Sequence, residues 1–250
     1  MMMEKVIVGT NIRKSFGHEK VLRNVSVEIE TGEFISIMGP SGSGKTTLMF
    51  ALSGMDEIDA GSVQFDGKEL VSLSDNALAD LRREQMGFVF QQPTLLKNLN
   101  LLDNIVLPVQ KGNEKKSKML MEKGQKLMDQ MGIAGLEQRD ITQVSGGQLQ
   151  RAGICRALMG NPKIIFGDEP TGALNSKSAQ EIIYILSEIN KQGTTVCIVT
   201  HDVKVAAQTQ RVLFMSDGQI VSQLHFSRER VQSIDERMVE VTEKMREIDI

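Results

Sequence analysis

Apolar and polar positions alternate early in the chain, with Val25, Val27 and Ile29 set against Ser26, Glu28 and Glu30. A period of two predicts a strand with one buried face, and Val63 and Phe65, just ahead of an Asp66-Gly67 turn, predict a second. Together they read as an antiparallel region. Elsewhere the pattern changes to short apolar runs without alternation, at 34–38, 86–90, 163–166 and 194–200. Such runs suit strands covered on both faces, as in a parallel sheet. Between them the apolar spacing lengthens to three and four, and over 179–189 the residues Ile182, Ile183, Leu186 and Ile189 form one helical stripe. Strands alternating with helices predict an α/β core with a largely parallel sheet. Residues 95–160 carry helical patterns and no convincing strand, which predicts a helical lobe inserted into that core. A hairpin over 212–221, turned by Asp217-Gly218, closes the sheet region.

The apolar run at 34–38 leads straight into Gly39-Pro40-Ser41-Gly42-Ser43-Gly44-Lys45-Thr46, and Thr47 continues into the helical pattern 47–52. Strand, glycine-rich loop and helix in that order make a phosphate loop. A triphosphate presents several negative oxygens, which are best held by backbone N–H groups curled around them at the positive end of a helix. Gly39, Gly42 and Gly44 let the backbone come that close. Lys45 supplies a flexible positive charge for the outer phosphates, and Thr46 a hydroxyl able to ligate Mg2+. The chain is therefore expected to bind a nucleoside triphosphate. A glycine-rich turn ahead of an ordinary core helix is the plainer alternative, and the complete motif in its strand-to-helix context argues against it.

At 250 residues the chain can bury a substantial core, as one large domain or as a domain with an inserted lobe. Its 29 basic residues against 32 acidic ones give a net charge of −3, which offers nucleic acid no overall attraction, and no nucleic-acid partner is expected. Cys155 and Cys197 lie in apolar stretches without metal-ligand spacing and fit small buried hydrophobes in a reducing compartment. The opening Met1-Met2-Met3-Glu4-Lys5-Val6 lacks the basic and long apolar regions of a secretory signal. No run approaches the roughly 18 apolar residues that would span a bilayer. The expectation is a soluble, cytoplasmic chain.

Two further motifs narrow the chemistry. Ile164-Ile165-Phe166-Gly167-Asp168-Glu169 puts two carboxylates at the C-terminal end of a buried strand. In open α/β sheets ligands collect outside those ends, which sets both acids beside the phosphates. Asp168 can support the Mg2+ shell, and Glu169 is free to polarise an attacking water. Acids also decorate helix N-termini for dipole reasons, and the loop upstream favours the chemical reading. Ser145-Gly146-Gly147-Gln148 opens another helical pattern and offers a second anion-accepting N-terminus, with Ser145 as hydroxyl donor. Ser-Gly-Gly is equally an ordinary helix entry.

Taken in order, these residues resemble the nucleotide-binding subunit of ATP-binding cassette transporters, over about the first 220 residues. Val144-Ser145-Gly146-Gly147-Gln148 is similar to the family signature, with Val144 where leucine is more usual. Gln91 resembles the glutamine loop joining core and lobe, His201 the switch histidine, and Phe16 the aromatic that stacks on adenine. The resemblance implies a P-loop NTPase fold with a mixed, largely parallel sheet, an antiparallel β subdomain and the inserted helical lobe. That domain would fill residues 1–225 and leave 226–250 as a C-terminal helix. It further implies an ATPase that works as a head-to-tail homodimer, each ATP held by the phosphate loop of one copy and the signature of the other. Gly39, Pro40, Ser41, Gly42, Ser43, Gly44, Lys45, Thr46 and Thr47, with Phe16, Gln91, Ser145, Gly146, Gly147 and Gln148, would bind ATP. Thr46, Gln91 and Asp168 would hold Mg2+, Glu169 would be the general base, and His201 would contact the γ phosphate. Two departures stand out. Asn175, ending Gly172-Ala173-Leu174-Asn175, occupies the place of a family aspartate, and Asp140-Ile141-Thr142-Gln143 lacks the proline often found before the signature.

A chain without a membrane span that resembles a transport motor implies a separate permease, docked on the lobe near 91–108 and holding the chain at the inner face of the cell membrane. Phe90-Gln91-Gln92, Asn104-Ile105-Val106-Leu107-Pro108 and Ser176-Lys177-Ser178 are similar to bacterial ATPases of macrolide export, lipoprotein release and antimicrobial-peptide resistance. A cassette that regulates or signals through a membrane partner without net transport is the alternative, and Glu169 favours turnover. A soluble ATPase of DNA repair or translation would show coiled-coil arms, zinc-binding cysteines or two cassettes, none of which this sequence has. At the end, Val231, Ile234, Met238, Val241, Met245 and Ile248 mark the seam of an amphipathic helix, too short at about two and a half heptads to argue for a coiled coil. Packing on its own domain is the plainer expectation, and pairing with a second copy or with the permease the alternative. The lysines at 115, 116, 118, 123 and 126 read as the solvated face of a lobe helix.

Overall fold

The structure is a computed structural model that describes residues 4–110, 117–226 and 232–249. Lys115, Lys116 and Val231, expected on helices, lie outside that set. The centre is a six-stranded sheet in the order β10-β9-β3-β8-β7-β6. It is built from β3 (Phe34–Met38), β6 (Met86–Phe90), β7 (Ile164–Asp168), β8 (Thr195–Val199), β9 (Arg211–Ser216) and β10 (Gln219–His225). Strands β6, β7, β8, β3 and β9 run parallel, and β10 folds back antiparallel at the edge. The continuous apolar runs became these central strands because every residue of β3 and β8 is buried. Successive side chains divide between two cores. Ile35, Ile37, Phe166, Cys197 and Val199 face one side, and Phe34, Ile165, Val196 and Ile198 face the other.

The first side is covered by α1 (Lys45–Leu52) and by an antiparallel sheet of β2 (Glu19–Glu30), β1 (Lys5–Phe16), β4 (Ala60–Phe65) and β5 (Lys68–Glu69), in that order. The second side carries α3 (Leu101–Gln110), α4 (Ser117–Gln130), α5 (Gly146–Leu158) and α6 (Ser176–Lys191). A further helix, α2 (Asp75–Gln85), leads into β6. Asp140–Gln143, without its proline, still turns tightly: a 3-10 turn over Ile141–Gln143 follows Asp140, whose N–H donates to Gln143 Oε1 at 3.1 Å. Lys123 departs from the solvated face expected of it. Its Nζ donates to Met159 O and Asn161 Oδ1, both at 2.7 Å, and burial lowers its pKa. Acceptors left at the C-terminal end of α5 draw the ammonium inward.

The chain ends with α7 (Val203–Ala206) and α8 (Ile234–Glu247). Val241 is fully buried with Met38, Ala206, Val212 and Phe214, Met245 and Ile248 pack beside it, and the Arg237 guanidinium lies 4.8 Å from the Phe226 ring. These seam residues therefore pack within the chain, while Ile234 and Val239 stay exposed. Among the described residues no helix is long and apolar enough to cross a membrane.

Candidate nucleotide site

Parallel pairing sets Phe90 beside Asp168, Asp168 beside Val199, and Val199 beside Ile37. The residues after each strand therefore emerge along one sheet edge: Gln91 after β6, Glu169 after β7, Thr200 and His201 after β8, and the glycine-rich loop after β3. Residues distant in sequence meet there because the strands run the same way.

In the loop, Gly39, Gly42 and Gly44 have φ of 153°, 81° and 95°. At Gly39 a Cβ would stand 2.1 Å from Met215 O, so only glycine fits between β3 and β9. Ser43 N–H donates to Pro40 O at 3.2 Å, while Ser43 O accepts from Gly218 N–H at 3.1 Å. The β9–β10 hairpin tip thus braces the loop, a role that Asp217-Gly218 announces in sequence only as a turn. Lys45 is buried and its Nζ donates to Pro40 O at 2.8 Å. Burial lowers the pKa of its ammonium, against the opposing pull of Glu169 and then Asp168. Pro40, Ser41 and Gly42 are exposed or lie at the loop surface, and Thr46 and Thr47 occupy the first turn of α1.

Thr46 Oγ1 donates to Asp168 Oδ1 at 2.8 Å. Burial raises the pKa of Asp168 most, Glu169 adds to that, and the Thr46 hydrogen bond and Lys45 pull it down. Glu169 stands just past β7 with φ of 44°, held there as its N–H donates to Val199 O at 3.0 Å. A left-handed glutamate carries a local strain of about 1–2 kcal/mol. His201 Nδ1 lies 3.0 Å from Glu169 Oε1. The acids do not decorate a helix start, since α6 begins only at Ser176. Gln91 belongs to the same cluster: a Cβ on Gly172 would sit 2.8 Å from Gln91 Nε2 and 3.2 Å from Glu169 Oε2. Among the described residues no group of three His, Cys, Asp or Glu is placed to hold a metal. The Thr46 hydroxyl and Asp168 carboxylate are hard oxygen donors suited to Mg2+, which characteristically completes its shell with phosphate oxygens and water.

Other expected site residues make local contacts of their own. Phe16, at the end of β1, is 53% exposed, with Lys14 Nζ 5.1 Å from its ring centroid. Ser145 and Gln148 are bonded to each other: Ser145 N–H donates to Gln148 Oε1 at 2.8 Å, and Gln148 N–H donates to Ser145 Oγ at 3.3 Å. Gly146 and Gly147 lie nearest to Leu174 and Ser178. Asn175 caps α6, its Oδ1 accepting from Ser178 N–H at 2.9 Å.

Residues 22–172 match the family model described as ABC transporter. The chain is 42% identical over 225 residues to the bacitracin export ATP-binding protein BceA of Halalkalibacterium halodurans, covering 88% of each chain. It is 43% identical over 240 residues to the macrolide export ATP-binding/permease protein MacB of Bdellovibrio bacteriovorus, covering 94% of this chain and 36% of that protein. It thus spans about a third of the length of that relative. The fold matches the dimeric, post-hydrolysis cassette MJ0796 bound to ADP and Pi with a TM-score of 0.82, at 35% identity, over 88% of this chain and 99% of that one. The chain belongs to the ABC transporter family, as one of its ATP-binding cassettes.

Proposed function

We propose that this cassette hydrolyses ATP as one half of a head-to-tail homodimer and passes the resulting motion to a membrane permease. One observation carries the catalytic part: Glu169, fixed by Val199 and paired with His201 at 3.0 Å, stands on the sheet edge where Thr46 and Asp168 meet the phosphate loop. Loop amides and Lys45 bind the β and γ phosphates. Lys45 exchanges the neutral Pro40 carbonyl for anionic oxygens, which accept a stronger charge-assisted hydrogen bond. Glu169 takes the proton of the attacking water. With Nδ1 on Glu169, His201 keeps the carboxylate oriented and leaves Nε2 for the γ phosphate. Thr46, Asp168 and Gln91 would hold Mg2+, which neutralises charge on the β and γ oxygens when bound. Phe16 offers an exposed ring for adenine.

The start of α5 is a second anion-accepting end whose nearest neighbours in its own copy are Leu174 and Ser178, and a second copy would bring a phosphate loop to it. The MJ0796 cassette, of the same fold, is described as a dimer. The permease seat is a groove of about 400 Å³ lined by Met55, Phe88, Phe90, Leu96, Leu107 and Pro108. Met55, Leu96 and Leu107 are 42%, 47% and 42% exposed there, an apolar cluster that suits a protein partner. Through that partner the cassette sits on the inner face of the membrane. The cargo we propose is peptides, lipids or antimicrobial compounds, exported or removed, and the likeness to BceA, named for bacitracin export, and MacB, named for macrolide export, supports the last of these. The test is ATP turnover of the chain co-purified with its permease in lipid vesicles. Turnover that rises with the permease and vanishes in Lys45→Ala is expected, and absence of ATP hydrolysis with or without the permease would overturn the reading.

A further inference from the structure

We infer that Gln150 is a positioning residue that couples the two nucleotide sites of the dimer, by locking the signature helix α5 to the glutamine loop of the same copy. The inference rests on the head-to-tail dimer proposed above, in which Gln91 serves one ATP and Ser145 the other. One stripe of α5 runs along the chain on both sides of Gln91. Gln150 Nε2 donates to Phe90 O at 2.9 Å. A Cβ on Gly153 would touch Pro93 at 3.6 Å, and Arg156 Nη1 donates to Thr94 O at 2.6 Å. Ala157 O approaches Gly87 so closely that a Cβ there would stand 2.9 Å away. Positions 150, 153 and 157 share one helix face, which binds α5 both to β6 and to the loop that follows it.

Gln150 differs from the rest of the stripe. It is 1% exposed, and its Oε1 finds no donor among the described residues. A buried acceptor without a partner is costly, and an apolar side chain would fill the space without that cost. What only the amide provides is a donor for the carbonyl immediately before Gln91. Motion of Gln91 towards bound nucleotide therefore pulls on α5, and the N-terminal end of α5, little more than one turn before Gln150, is the signature that faces the other ATP. The physical basis is one rigid helix biased from both sites.

The test is ATP turnover against ATP concentration in the full-length chain, Gln150→Met and Lys123→Met. Gln150→Met keeps the volume and removes the donor. Lys123→Met removes the two hydrogen bonds at the opposite end of α5. A Hill coefficient approaching the two-site limit of about 2 is expected in the parent and in Lys123→Met, which should lose only melting temperature. In Gln150→Met the coefficient should fall towards about 1, with ATP binding to the dilute monomer unchanged. An unchanged coefficient in Gln150→Met, or an equal fall in Lys123→Met, overturns the inference. Should Gln150→Met not fold, Gln150→Leu replaces it, and the same fall in the coefficient is expected; an unchanged coefficient there would also overturn the inference. A parent coefficient of about 1 would leave no coupling for Gln150 to carry and would overturn the inference, whereas a parent that stays monomeric by light scattering with Mg2+ and ATP would remove the dimer reading itself.

Discussion

Gly172→Ala should slow ATP turnover without weakening the fold. The added Cβ would stand 2.8 Å from Gln91 Nε2, 3.3 Å from Gln91 Cδ and 3.2 Å from Glu169 Oε2. All three atoms belong to flexible side chains, and Gly172 is not among the residues with positive φ, so the backbone accepts a methyl group. The side chains must retreat instead: reaching an ordinary contact of 3.4 Å moves the Gln91 amide by about 0.6 Å and the Glu169 carboxylate by about 0.2 Å. A misplacement of about 1 Å can cost about 100-fold in rate, so the expected loss in kcat is about tenfold, or about 1.4 kcal/mol. Stability should rise by about 0.4–1 kcal/mol, since alanine restricts the unfolded chain, which is roughly 1–4 °C in melting temperature for a chain of this size. The assay pairs steady-state ATP turnover with thermal melting. An unchanged kcat in a variant that melts at or above the parent would refute the reasoning, because Gln91 and Glu169 would then not be held at reacting geometry.

Three further outcomes test the surrounding structure. Arg211 Nε and Nη2 donate to Glu33 Oε1 and Oε2 at 2.7 and 2.9 Å, both side chains nearly buried, so Glu33→Ala strands a guanidinium and should cost about 3–5 kcal/mol in urea unfolding. Burial pushes the Cys155 and Cys197 thiols up to about 12; with so little thiolate below that pH, an alkylating reagent at about pH 8.5 should label neither in the native protein and both in denaturant. Deleting residues 229–250 uncovers Phe214 and Met38 by removing Val241, and should cost about 2–3 kcal/mol or more while dimer and permease assembly persist. Lost assembly at an unchanged melting temperature would place α8 against a partner instead.

The central strands were legible because burial on both faces favours apolar residues at successive positions, as at Phe34–Met38, where Ser36 is the one polar residue, and Met86–Phe90. β1 was not, since register shifts and the left-handed Asn11, φ 51°, interrupt its alternation. The polar helix α2, with Leu81 as its buried residue, also lacks the stripe that periodicity detects. α6 starts at Ser176, before the apolar stripe at 179–189, because the Asn175 cap organises a polar first turn. At the site, the loop and the two acids could be read from local spacing. The pairing of Glu169 with His201 could not, since it exists only because β7 and β8 lie side by side and parallel. Nor could the brace from Gly218 to Ser43, or the fall of Lys123 onto the end of α5, both of which depend on packing between distant segments.

The most direct measurement tracks Glu169→Gln through phosphate release and light scattering with Mg2+ and ATP present. Glutamine keeps the size and the hydrogen bond to His201 but cannot take a proton from water. Phosphate release should fall by about 100-fold or more, and the variant should persist as a dimer holding two ATP molecules, whereas the parent returns to monomers once ATP is cleaved. Phosphate release at the parent rate, or a variant that binds ATP and stays monomeric, would contradict a cassette that closes on ATP and opens through Glu169.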